Sequence, residues 1–213
     1  MSIVKLNNRS VKDVTAFGSI SSLGSLTHLS TQTISSPVSS VNFVHGSGGV
    51  DFTSYKEYIF YLVNLHPNSN SEPDIRMNFS SDGGSNYNVT KTTTAFYADH
   101  NESGSSSGLQ YISGVDLAQS TSGQYIGYNL EESDSDSSLS GIVHLFDPSS
   151  TVHVKHFMVN INMMHLEPQS NNYYIGGYCN TTSAIDAVNF TGEYSEGSAS
   201  NIDSGQILLF GLN

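Results

Sequence analysis

The stretch Asp74-Ile75-Arg76-Met77-Asn78-Phe79-Ser80 decides the fold class. Apolar and polar residues alternate along it, and successive side chains of an extended chain point to opposite faces. The alternation predicts a half-buried strand with Ile75, Met77 and Phe79 inward and Asp74, Arg76 and Asn78 outward. Asp82-Gly83-Gly84 follows as a turn, because glycine reaches positive φ without a steric penalty. Val89 to Ala98 then reads as the return strand of a hairpin.

The same two-residue rhythm extends both ways along the chain. Upstream, Tyr55 to Leu65 is apolar on both faces, with Ile59, Tyr61, Val63 and Leu65 on one and Tyr58, Phe60 and Leu62 on the other. A strand without a polar face is buried on both sides or lies at an interface. Leu26–Ile34 and Ser39–Val44 are expected as a pair broken at Ser35-Ser36-Pro37. Ile3–Leu6 and Val11–Phe17 are expected as a shorter pair before them. Downstream, Leu109–Ile112 and Gln124–Tyr128 read as short strands. Leu139–Phe146 and Thr151–Met163 read as a hairpin across Asp147-Pro148-Ser149-Ser150, with Phe157, Val159, Ile161 and Met163 inward. Tyr173–Cys179, Ala187–Tyr194 and Gln206–Leu212 complete the set. No window carries the 3.6-residue apolar period of a helix, and no repeat of 20–50 residues stands out.

These runs predict an all-β fold: an antiparallel β-sandwich, jelly-roll-like, with a short N-terminal arm. Residues 1–45 are expected to form the arm or a small β subdomain, and residues 46–213 the sandwich.

Charged residues make up 12% of the 213-residue chain, about half the usual share, so Ser, Thr, Asn and Gly must supply the polar surface. The formal net charge is -12, and seven basic residues are too few for a free-standing nucleic-acid binder. Three of the seven, Lys5, Arg9 and Lys12, fall within the first twelve residues and make a basic arm on an acidic body. The arm is a candidate docking element for an acidic partner. The single cysteine, Cys179, allows no internal disulfide and reads as a small buried hydrophobe. No apolar run reaches the ~20 residues that span a bilayer, and Lys5, Arg9 and Lys12 interrupt any signal-peptide core. Synthesis in a cytoplasm is expected, with no membrane partner.

Residues that could carry chemistry are few. GxSxG, HExxH, P-loop and GxGxxG patterns are missing, and no carboxylate pair is singled out by spacing, so no catalytic residue and no cofactor are expected. Glu131, Glu132, Asp134 and Asp136 form the one acidic cluster and are a weak calcium candidate without the EF-hand pattern. His153 and His156, three apart on a strand, point to opposite faces, and no metal site is expected from them. Tyr125, Tyr128, Tyr173 and Tyr174 are candidates for stacking against a sugar.

Several phrases resemble, as a set, a family of virion structural proteins of marine tailed phages, such as those infecting cyanobacteria. They include Ser2–Arg9, Asp13-Val14-Thr15-Ala16-Phe17-Gly18-Ser19, Tyr55–Phe60, Asn64-Leu65-His66-Pro67, Ser85–Thr94 and Asp116–Ser120. Leu145–Thr151, Val154–Phe157, Asn180–Ala187 and Ile207–Leu212 complete the resemblance, which is weakest over 18–50 and 120–138. It implies a non-enzymatic protein of the virion surface: a capsid decoration (cement) subunit, or a head or tail fibre component. The implied partners are other capsid or tail proteins and further copies of the chain, a trimer among the options. A receptor-binding module for host surface polysaccharide is the alternative.

Overall fold

We describe a computed structural model of the chain over residues 26–68, 73–131, 134–194 and 199–212. Lys5, Arg9 and Lys12, and the two strands expected before residue 25, lie outside the described residues. Within them the fold is all-β and antiparallel, with no helix.

Twelve strands follow one another among the described residues. They are β1 (Leu26–Ile34), β2 (Ser40–Val44), β3 (Glu57–Asn68), β4 (Pro73–Ser80), β5 (Lys91–Asn101) and β6 (Ser107–Tyr111). After them come β7 (Gln124–Gly127), β8 (Leu139–Phe146), β9 (Lys155–His165), β10 (Gln169–Cys179), β11 (Ala187–Tyr194) and β12 (Ala199–Leu212). A large layer runs β6-β5-β10-β9-β8-β3-β12-β1, and a small layer runs β2-β11-β4-β7. The sheet curls from one layer into the other where the start of β12 pairs with β11.

Eight strands pair first with last: β1 with β12, β2 with β11, β3 with β8 and β4 with β7. Contacts of β12 with β3 and of β11 with β4 close the two layers. The other four strands, β5, β6, β9 and β10, continue the large layer beyond β8.

Alternation places the core between the layers. From β3, Tyr58, Phe60 and Leu62 point inward; from β4, Ile75, Met77 and Phe79, as their spacing predicts. Phe60 packs edge-on against Phe43 of β2 at 5.3 Å and Phe190 of β11 at 5.6 Å. Phe79 meets Phe157 of β9 at 5.1 Å. The layers are therefore joined by aromatic contacts, each adding to the burial of 150–250 Å² per ring.

Three expectations are corrected. β4 and β5 are not a hairpin: β4 lies between β11 and β7, and β5 between β10 and β6. The Asp82-Gly83-Gly84 turn is present, with Asp82 accepting from the Asn86 backbone N–H at 2.9 Å, but the chain then crosses to the other layer. β1 and β2 are likewise not a pair with each other, because each joins a strand from the far end of the chain. Leu65 does not share a face with Ile59, Tyr61 and Val63: the register of β3 shifts between Leu62 and Leu65, where Asn64 adopts φ 51°. The extra residue swaps the parity and turns Leu65 into the core.

Candidate interaction surface

The four strands that extend the large layer carry the most distinctive surface. Their pairing places outward residues in rows. Asn160, Tyr174, Phe96 and Tyr111 stand side by side across β9, β10, β5 and β6. Met158, Gly176 and Thr94 form the adjacent row; Asn162, Asn172, Ala98 and Leu109 form the row on the other side. Phe96 and Tyr174 stack with ring centroids 5.1 Å apart and planes at 12°. Five of the eight large apolar residues left exposed among the described residues lie here: Met158 (58%), Tyr174 (41%), Phe96 (40%), Tyr111 (60%) and Leu109 (70%).

No outward position on these four strands is Asp, Glu, Lys or Arg. At the rim, the Tyr111 hydroxyl donates to Asp116, which raises the tyrosine pKa. The apolar rows continue onto β8, β3 and β12 through Ile142, Tyr61 and Leu208. Tyr61 there packs edge-on against Phe210 at 5.5 Å. Glu57, at the end of β3, is held by the His144 ring nitrogen Nδ1 at 2.5 Å.

The outer face of the small layer is polar. Asn42, Asn78, Asn189 and Thr191 face outward around Arg76. The Arg76 guanidinium pairs with Glu193 at 2.7 Å and lies 3.9 Å over the Tyr125 ring. Burial raises the Glu193 pKa, and the Arg76 charge opposes that rise.

The four tyrosines expected as sugar contacts do not form one site. Tyr173 points into the core, 2% exposed and stacked on Tyr97, so it cannot touch a surface ligand. Its neighbour Tyr174 takes the outward position because side chains alternate. Tyr125 and Tyr128 are half-buried on the small layer, 5.4 Å apart edge to face. Of the acidic cluster, Glu132 lies outside the described residues and Asp134 is exposed. Asp136 borders a shallow polar hollow with Asn64, His66 and Ser204. Among the described residues, no group of three His, Cys, Asp or Glu side chains is placed to hold a metal ion.

The inner side of the extension has an unexpected polar end. Lys91, Cys179 and Lys155 stand in one inward row across β5, β10 and β9, all fully buried. Lys91 Nζ donates to Asn78 Oδ1 at 2.6 Å and to the Val89 carbonyl at 2.8 Å. Burial lowers its pKa to about 8. The Cys179 thiol is pushed up to about 12 by burial, with both lysines opposing, so at neutral pH it is a thiol and not a nucleophile. Elsewhere His66 Nδ1 lies 2.8 Å from Asp203 Oδ1 at the β3 bulge.

Sequence reasoning located an apolar double face on Tyr55–Leu65 but missed the more exposed one on β5 and β10. The signal was present in Ala95-Phe96-Tyr97 and Tyr173-Tyr174-Ile175, where large apolar residues occupy both parities.

Comparison with protein-family models, curated proteins and solved structures finds no match to this chain.

Proposed function

We propose that this chain is a non-enzymatic structural protein of a phage virion surface, a capsid decoration (cement) subunit or a head or tail fibre component, that works as one of several identical copies. The observation that carries the reading is the uncharged apolar outer face of β9, β10, β5 and β6. A monomeric sandwich keeps both outer faces polar, and a large apolar patch marks a surface that something covers.

Two further observations support it. The first-with-last pairing of eight strands supports a jelly-roll reading, an architecture used in capsid and lectin domains, in which β5-β6 and β9-β10 would be insertions. The phrases that resemble marine phage virion proteins fall on β3, β5, β9 and β12 as well as on the loops between them. In this reading Lys5, Arg9 and Lys12 dock on an acidic shell.

The test is biochemical. Particles purified from infected cells should contain the chain in many copies, and antibody-labelled micrographs should place it on the surface. Its absence from particles would end the reading. Removing residues 1–12 should reduce incorporation if the basic arm docks the subunit.

One observation favours the alternative, a receptor-binding module for host polysaccharide. Tyr174 and Phe96 present a stacked aromatic platform flanked by the amides of Asn160 and Asn172. Binding to a glycan array that is lost in Tyr174→Ala would select it.

A further inference from the structure

Eight glycines lie within the described strands; six are crowded by their surroundings, and Gly108, at the exposed edge, meets only the Asp99 and Gln110 side chains. A Cβ at Gly177 would meet Thr93 Cγ2 at 2.5 Å, and one at Gly141 the Asn160 carbonyl oxygen at 2.2 Å. One at Gly211 would meet the Tyr55 ring at 2.3 Å, and Gly205 has φ 115°. Gly176 has neither reason. Its φ lies outside the left-handed region, and nothing stands within 4 Å of the place its Cβ would take. Glycine in a strand interior weakens the strand, and it is found where another backbone or a ligand approaches closely.

The position of Gly176 supplies the reason. It lies at the middle of β10 on the outward side, between Tyr174 and Tyr178 along the strand and between Met158 and Thr94 across it. The missing side chain leaves a notch walled by aromatic rings and a methionine, in the face that carries no formal charge.

We propose that the notch at Gly176 receives a second copy of this chain, packed on the outer face of β9, β10, β5 and β6. The proposal deepens the multi-copy reading of this face and rests on that part of it, independently of any virion location. Area supports the choice. At about 150–250 Å² per large side chain, the exposed fractions of Met158, Tyr174, Phe96, Tyr111 and Leu109 put on the order of 500 Å² of apolar surface in one patch. Their half-buried neighbours on the same rows bring it near the ~800 Å² that a specific interface takes from each partner. Charge supports it as well. Two bodies of formal charge -12 repel, and the outward side of these four strands is a surface on which they meet without opposing like charges. β6, at the edge of the sheet among the described residues, adds an uncharged rim to the same patch.

The experiment is light scattering coupled to size exclusion, at about 50 µM because interfaces of this size span µM to pM affinities. The full chain should run at a multiple of its 22.9 kDa mass. Gly176→Arg fills the notch without touching its own fold, so it should dissociate the assembly at least about a hundredfold more readily, as loss of an interface centre does, with circular dichroism unchanged. Met158→Glu, at a 58% exposed position, should do the same if the arginine variant folds poorly. Asn42→Arg, on the small layer's outer face, should keep the wild-type mass. A full chain that runs as a monomer overturns the proposal, as does a folded Gly176→Arg that keeps the multiple mass. So does a monomer that assembles only after residues 1–25 are removed, because the chain's own leading segment would then be the cover.

Discussion

The two outer faces of this protein obey opposite rules. On the small layer, polar residues point out, and the ion pair of Arg76 with Glu193 is shielded by Tyr125. On the extension of the large layer the polarity is inverted. Within β5 alone, Lys91 is fully buried while Phe96, five residues on, is 40% exposed. A solitary sandwich has no reason to hold a lysine inside and a phenylalanine outside on one strand. In the assembly proposed above, the small layer would face water and the large layer a neighbour.

That contrast can be broken from the inside outward. The largest effect belongs to the shared core. Phe60→Ala removes the ring that joins β3 to Phe43 and Phe190 and should cost about 3–5 kcal/mol of unfolding free energy, measured by denaturant titration. Phe96→Ala, on the outer face, should cost the isolated chain no more than about 1 kcal/mol. Equal costs for the two would erase the distinction between inside and outside.

Next comes the small layer's surface. Arg76→Ala strands the half-buried Glu193 carboxylate and should cost about 2 kcal/mol, while the mass in solution stays unchanged. A changed mass would put the interface on the wrong layer.

A smaller effect tests the buried lysine. Its pKa is lowered from 10.5 to about 8, so the folded chain holds its proton less tightly than the unfolded chain. Stability from this group is lowest below pH 8 and rises as pH climbs from about 8 to 10.5. The shift corresponds to a burial cost of ~3 kcal/mol. Lys91→Met removes that cost but leaves both Asn78 Oδ1 and the Val89 carbonyl without their donor, a loss of at least about 1 kcal/mol for each. At pH 7 the two effects nearly offset, so the variant should lie within about 1 kcal/mol of the wild type, and it should be less stable above pH 10.5, where the lysine is neutral in both states. A difference that does not change with pH would refute the buried charge.

The smallest effect is that of salt. Raising ionic strength from about 0.01 to 0.15 M shortens the screening length from ~30 to ~8 Å, so repulsion between acidic copies should weaken and association tighten a few-fold. Weakening by salt would mean that ion pairs hold the copies together.

Much of the architecture was legible in the sequence. Two-residue alternation on Asp74–Ser80 and Thr151–Met163 marked two strands and their inward residues, because burial on one face imposes that period, although the second strand starts only at Lys155. The hairpin from Leu139 to Met163 was legible because its two strands are consecutive, although the connection runs over 147–154 rather than the four residues expected. The pairing of β1 with β12 and β2 with β11 was not, because those strands are separated by most of the chain and no local turn encodes their meeting. Leu65 was misassigned because a bulge at Asn64 shifts parity, and a single extra residue leaves no mark on composition. Tyr173 and Tyr174 show the limit for sites: adjacent identical residues land on opposite faces, and only the register decides which one is outside. The meaning of Gly176 depends on empty space around it, which no sequence displays.

Hydrogen exchange measured at rising protein concentration tests the central claim most directly. Peptides spanning 94–98, 107–112, 156–160 and 172–178 should gain protection as copies associate, while those of β4 and β11 should exchange at a constant rate. Protection that appears on the small layer, or on neither, would contradict the account.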